Sequence, residues 1–79
     1  MTDEDELLAA VCEAWADTLG IDADAVPVDE GFFDAGGNSL LLVLLCEQLG
    51  EHTGRTVSAA DVFQHPSVLA QVRLLAEDR

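Results

Sequence analysis

Lysine is absent from the 79 residues, and three arginines face sixteen aspartates and glutamates, for a formal net charge of −13. Nucleic acid and anionic membranes both need a cationic surface, so this balance disfavours them as partners. It favours basic proteins, with association that weakens as salt screens the field over about 8–10 Å. Acids that merely keep a small protein soluble would leave the same balance, so composition excludes more than it identifies. Cysteine is scarce. Cys12 and Cys46 lie far apart in apolar helical stretches, which reads as two small buried hydrophobes rather than a disulfide or a reactive thiol. The opening "MTDEDELLAA" lacks the basic region of a secretory signal, and the longest apolar run, 40–46, is far too short to span a bilayer. A cytoplasmic protein is the expectation.

What is present suffices for one domain, 1–79, with a core that must be well packed because no staple holds it. Four helical segments and one long loop are predicted, giving an all-α, small four-helix bundle with one long crossover. The first helix opens with Thr2 or Asp3 as N-cap candidates and acids in its first turn, where they suit the helix dipole. Leu7, Leu8, Val11, Cys12, Trp15 and Leu19 fall on one side, Glu6, Glu13 and Asp17 opposite, and Gly20 supplies the stop.

Residues 21–38 break the helical pattern with Pro27 and three glycines. A loop this long in so small a domain tends to be functional, and Ile21, Val26, Val28, Phe32 and Phe33 are expected to pin it over the bundle, with a short helical turn or two inside. A calcium loop counted from Asp22 would need glycine and glutamate where Pro27 and Phe33 stand.

The second helix is predicted over 39–49, ending near Gly50. Leu41, Leu42, Leu45 and Leu49 share one face, with Cys46 at its edge. Leu40, Val43 and Leu44 share the opposite face with Glu47 and Glu51. A helix apolar all round is normally buried all round, but so short a chain does not readily cover both sides. An exposed docking patch beside Ser39 is the preferred reading. A short helix "AADVFQ" capped by Ser58 follows and closes before Pro66. Ser67 then caps a last helix, with Val68, Leu69, Val72, Leu75 and Ala76 on one face.

Ser39 invites a catalytic reading, which the surroundings do not support. The G-x-S-x-G elbow is incomplete, because Leu41 stands where its second glycine belongs, and no strand precedes it. His52 follows the second helix at the end remote from Ser39, and His65 sits in a turn before Pro66. Two histidines thirteen residues apart, without a supporting cluster, suggest no metal site. A serine at a helix start can instead carry a phosphate, since helix N-termini present free N–H groups and partial positive charge. Gly36 and Gly37 would let the backbone bend and a modifying enzyme approach. Taken alone, Ser39 reads more simply as an N-cap.

The neighbours read together change that balance. "FFDAGGNSLL" resembles the phosphopantetheine attachment motif of carrier proteins, in particular the peptidyl carrier, or thiolation, domains of nonribosomal peptide synthetases. "ADVFQHPSV" is similar to that family's segment linking the third and fourth helices, and "VPVDEGFFDAGG" to the close of its long first loop. The resemblance implies an acyl-carrier-protein-like bundle that catalyses nothing itself. Ser39 would bear 4'-phosphopantetheine from coenzyme A, supported by Gly36, Gly37, Asn38 and Leu40, and its thiol would hold an aminoacyl or peptidyl group as a thioester. The implied partners are a phosphopantetheinyl transferase, an adenylation enzyme, and tailoring, condensation or thioesterase enzymes, met by a monomer.

Two positions depart from the family's pattern. Asn38 stands where peptidyl carriers often have His or Asp, and where acyl carriers of fatty-acid or polyketide type usually have Asp. Leu44 stands where a polar or basic residue is common. The glycine pair and Phe32-Phe33 favour the peptidyl over the acyl type, and an unmodified acidic interaction module is the third alternative. Leu40, Val43, Leu44 and Glu47 are the expected docking residues. The termini "MTDEDELL" and "LLAEDR" suggest a free-standing carrier that meets its partners in trans.

Overall fold

The computed structural model describes residues 4–77, which form four α-helices and no strand. Helix α1, Glu4–Leu19, starts with Glu4, Asp5 and Glu6 in its first turn and buries Leu7, Val11, Ala14, Trp15, Ala16 and Thr18. The proposed caps Thr2 and Asp3 lie outside the described residues. Gly20 takes a left-handed φ of 73° and its N–H donates to the Ala16 carbonyl, which ends the helix.

Helix α2, Ser39–Thr53, is four residues longer than its apolar pattern predicts. Gly50 is passed through, and the left-handed cap is Gly54, at φ 73° with its N–H on the Gly50 carbonyl. Polar Glu51, His52 and Thr53 can extend a helix whose buried face is already complete at Leu49, so loss of apolar period does not mark its end. His52 is therefore inside α2, where its Nε2 lies 3.0 Å from Asp17 Oδ2 of α1. The thirteen positions from Ser39 to His52 place them about 20 Å apart along the helix axis.

Helix α3, Ala59–Gln64, carries a capping box in which Ser58 and Asp61 each bond the other's backbone N–H. Helix α4, Val68–Glu77, starts under Ser67, whose Oγ accepts from the Ala70 N–H at 3.1 Å. Its inward face differs from expectation. Val68, Val72 and Leu75 are buried, but Leu69 is exposed and Ala76 only half-buried, while Gln71 is buried beside them. Gln71 earns its place through hydrogen bonds: its Oε1 accepts from Trp15 Nε1 at 2.9 Å and its Nε2 donates to the His65 carbonyl at 3.0 Å.

Helix α1 packs on both α2 and α4, and α3 packs on α2. Trp15, Phe32, Leu45 and Leu49 are fully buried at the centre. The half-buried thiols Cys12 and Cys46 sit at the core's margin, less enclosed than expected, and are not joined. Among the described residues no helix is long and apolar enough to cross a membrane.

The long connection between α1 and α2 holds a single 3₁₀ turn, Ala23–Ala25, and is tied to the other end of the chain. Phe32 N–H donates to the Pro66 carbonyl at 2.8 Å, and Leu69 N–H to the Val28 carbonyl at 3.1 Å. Val26 and Phe32 are buried and Val28 half-buried, as expected of anchors. Ile21 and Phe33 stay exposed, contrary to expectation: Phe33 follows buried Phe32, which the bond to Pro66 holds inward, while Ile21 lies outside the core just past the end of α1. The loop is thus fixed just before it enters α2.

Candidate functional site

The N-terminus of α2 is built by three consecutive choices of residue. Gly36 has φ 110°, a region that side chains disfavour, and it faces open space. Gly37 serves a different end from the one expected. A Cβ there would lie 2.3 Å from the Phe32 ring, so its missing side chain makes room for a buried aromatic rather than for an approaching enzyme. Phe32 in turn meets Trp15 edge-on, with centroids 5.3 Å apart and planes at 84°. Its carbonyl accepts from both Ala35 and Gly37 N–H groups, at 3.2 and 3.0 Å, which closes the turn.

Asn38 is the N-cap. Its backbone is extended, its Oδ1 accepts from the Leu41 N–H at 2.9 Å, and its carbonyl accepts from Leu42 at 2.8 Å. Ser39 is consequently the first residue of the helix and not its cap. Its side chain is exposed and has no hydrogen-bond partner among the described residues. This separation decides against Ser39 as a mere cap, the simplest reading of the serine taken alone.

The electrostatics suit an anion on the hydroxyl. The N-terminus of α2 carries the helix's positive end, and in a strongly acidic chain its first turn contains no acid. A phosphodiester on Ser39 would meet free N–H groups there and no carboxylate within that turn. Gly36, Gly37, Asn38 and Ser39 fit such a group.

The other expected residues fall on one exposed face of α2. Leu40 is 80% exposed, Val43 58% and Leu44 40%, with Glu47 exposed beyond them. Cys46 is not among them, and its thiol is pushed up by burial and by the negative charge of Asp61. Cys12 is pushed up by burial. Sequence reasoning did not single out Phe63, which is 62% exposed and stacks on Phe33 at 5.7 Å and 15°. The sequence carried little signal for it: Val62 and Phe63 are adjacent and both apolar on a helix of under two turns, and the pattern alone does not say which one the core takes.

Comparison with known proteins places these features in a family. A model of the phosphopantetheine attachment site family matches residues 9–75. The chain is 40% identical over 63 residues to the beauvericin nonribosomal cyclodepsipeptide synthetase of Beauveria bassiana, covering 80% of this chain and 2% of that one. It is also 40% identical over 72 residues to the nonribosomal peptide synthetase acrB of Aspergillus aculeatus, covering 91% of this chain and 4% of that one. The chain thus spans a few hundredths of the length of these relatives. Among solved structures it is similar to a nonribosomal PCP domain, at TM-score 0.76 and 36% identity over 87% of this chain and 86% of that one. It is similar too to the McyG A-PCP complexed with phenylalanyl-adenylate, at TM-score 0.71 and 28% identity, over 95% of this chain and 11% of that one.

Proposed function

The chain belongs to the phosphopantetheine attachment family, and on that premise we propose that Ser39 is the residue that bears the group. It is a carrier domain of the nonribosomal peptide synthetase kind, and members of its family carry 4'-phosphopantetheine covalently. The observation that supports Ser39 is the division of work at the start of α2. Asn38 supplies the cap, so the adjacent hydroxyl is exposed and unengaged.

In this reading the Ser39 oxygen forms a phosphodiester when a transferase acts with coenzyme A, whose adenosine bisphosphate half leaves as the hydroxyl proton is removed. The arm supplies a thiol that holds an aminoacyl or peptidyl group as a thioester. The chain's own residues position and display it. Gly36 and Gly37 shape the turn, Asn38 holds the helix end, and the start of α2 offers backbone N–H groups to the phosphodiester. The chain itself performs no bond-making step. Tethering raises the concentration of the bound acyl group at each partner site, which is the function of a carrier.

Leu40, Val43 and Leu44 form the docking patch in this proposal, with Glu47 at its rim. The partners are a phosphopantetheinyl transferase, an adenylating enzyme, and enzymes that tailor, condense or release the tethered group. An adenylation partner is in keeping with the similar A-PCP structure. The acidic surface speeds encounter with basic faces on those enzymes.

Intact-mass measurement after incubation with a broad-specificity transferase and coenzyme A tests the assignment. A single phosphopantetheine-sized gain in the parent chain and none in Ser39→Ala is expected. No gain under conditions that modify a control carrier would overturn it.

A further inference from the structure

The chain's four aromatic residues form one continuous row: Trp15 against Phe32, Phe32 against Phe33, Phe33 against Phe63. The two inner rings are fully buried, while Phe33 and Phe63 are 42% and 62% exposed. The outer pair is stacked nearly parallel, with centroids 5.7 Å apart and planes at 15°, and both rings keep apolar surface open to solvent. The row also runs past the start of α2. The Phe32 ring occupies the space where Gly37 would carry a Cβ, two residues before Ser39, and Phe33 meets that ring at 5.7 Å.

We propose that Phe33 and Phe63 form a resting platform for an apolar or aromatic aminoacyl group carried on Ser39, an inference that rests on Ser39 as the attachment point. A group tethered at Ser39 is held at high local concentration over the adjoining surface, so even a weak contact there is populated. Aromatic rings favour offset stacking or edge-on contact, and one such contact favours the docked over the free group by about 2- to 10-fold. The aminoacyl ammonium also suits the acidic surface, where Asp34 directly follows Phe33 and is exposed. Contact of this strength shelters the side chain between transfers and still lets a partner enzyme lift it away. Glycyl and other small polar groups have nothing to lay on the rings and remain free.

The test loads Ser39 from phenylalanyl and glycyl coenzyme A analogues, in which an amide replaces the labile thioester. Intact mass and the ring resonances of Phe33 and Phe63 are then recorded by NMR. The phenylalanyl group should displace both sets of ring resonances and the glycyl group should leave them in place. Phe63→Ala should abolish the displacement at Phe33 while the mass gain at Ser39 persists. Phe63→Leu, which keeps apolar bulk and loses the flat ring, should abolish it as well, and the Trp15 indole N–H resonance reports that each variant is folded. Identical spectra for the two groups would overturn the proposal. So would a displacement centred on Leu40, Val43 and Leu44, or one that survives both substitutions. Absence of any mass gain would instead overturn the assignment of Ser39, and the platform with it.

Discussion

The indole N–H of Trp15 donates to Gln71 Oε1 across 2.9 Å, joining α1 to α4 between residues 56 positions apart. Both side chains are buried, and Gln71 passes its own N–H on to the His65 carbonyl. The pair links the core to the junction of α3 and α4, which in turn holds the loop before Ser39 through Phe32 and Pro66.

Gln71→Leu removes the acceptor and leaves a buried indole N–H unsatisfied. A loss of about 1–3 kcal/mol is expected. Urea unfolding followed by Trp15 fluorescence measures it, and a midpoint equal to the parent's would contradict this role for Gln71.

Gly37→Ala and Gly36→Ala should fail for different reasons. At 37 the new methyl collides with the Phe32 ring, a crowding that destabilises by about 1–3 kcal/mol and disturbs the Trp15 environment. At 36 there is room, and the penalty comes from φ 110° alone, about 1–3 kcal/mol with the near-ultraviolet signal of Trp15 preserved. Near-ultraviolet dichroism separates the two.

Asn38→Ala and Ser39→Ala should divide stability from modification. Losing the Asn38 cap destabilises by about 1 kcal/mol and leaves a modifiable serine. Ser39→Ala should leave the urea midpoint within about 0.5 kcal/mol of the parent and abolish the mass gain. A large loss of stability in Ser39→Ala would mean the hydroxyl supports the helix after all.

Leu44→Arg places a charge in the exposed apolar face of α2 and changes nothing buried. The kcat/KM for loading by the adenylating partner should fall by about fivefold or more, the scale of an interface residue worth over 1 kcal/mol. Unchanged loading would move the docking site off this face.

The thiols give the pH dependence. Burial raises Cys12, and burial with the Asp61 charge raises Cys46, above the ordinary thiol value of about 8.5 that both regain on unfolding. Their contribution to stability is whole below that value and is lost as pH rises through the raised folded values. The urea midpoint should therefore drop above about pH 8.5, and less so in a Cys12→Ala, Cys46→Ala double variant. At pH 8 a pantetheine thiol on Ser39 should alkylate before either cysteine, as mass mapping after brief iodoacetamide treatment would show.

Helix positions were legible where periodicity, caps and breakers agreed: Gly20 after α1, Ser58 before α3 and Ser67 before α4 all act as read. The motif around Ser39 was legible as a pattern, though not the reason for its parts. Gly37 answers to Phe32, and Asn38 takes the cap that serine alone would have claimed. The misreadings share a cause, which is that helical spacing reports apolarity and not partnership. Leu69 stays exposed because it sits about 100° round the helix from fully buried Val68, at the margin of the inward face. Gln71 has the wrong chemistry and is buried, because a distant indole completes it. The end of α2 was misplaced because polar residues can carry a helix past its buried face to the glycine that stops it.

Asn38 has one consequence beyond geometry. Because the helix end is held by a neighbouring amide, converting the Ser39 hydroxyl to an ester breaks no hydrogen bond of the fold. On the proposed attachment at Ser39, the α2 cap has no bond to remake when the arm is installed, so the helix end serves the bare and the modified chain alike.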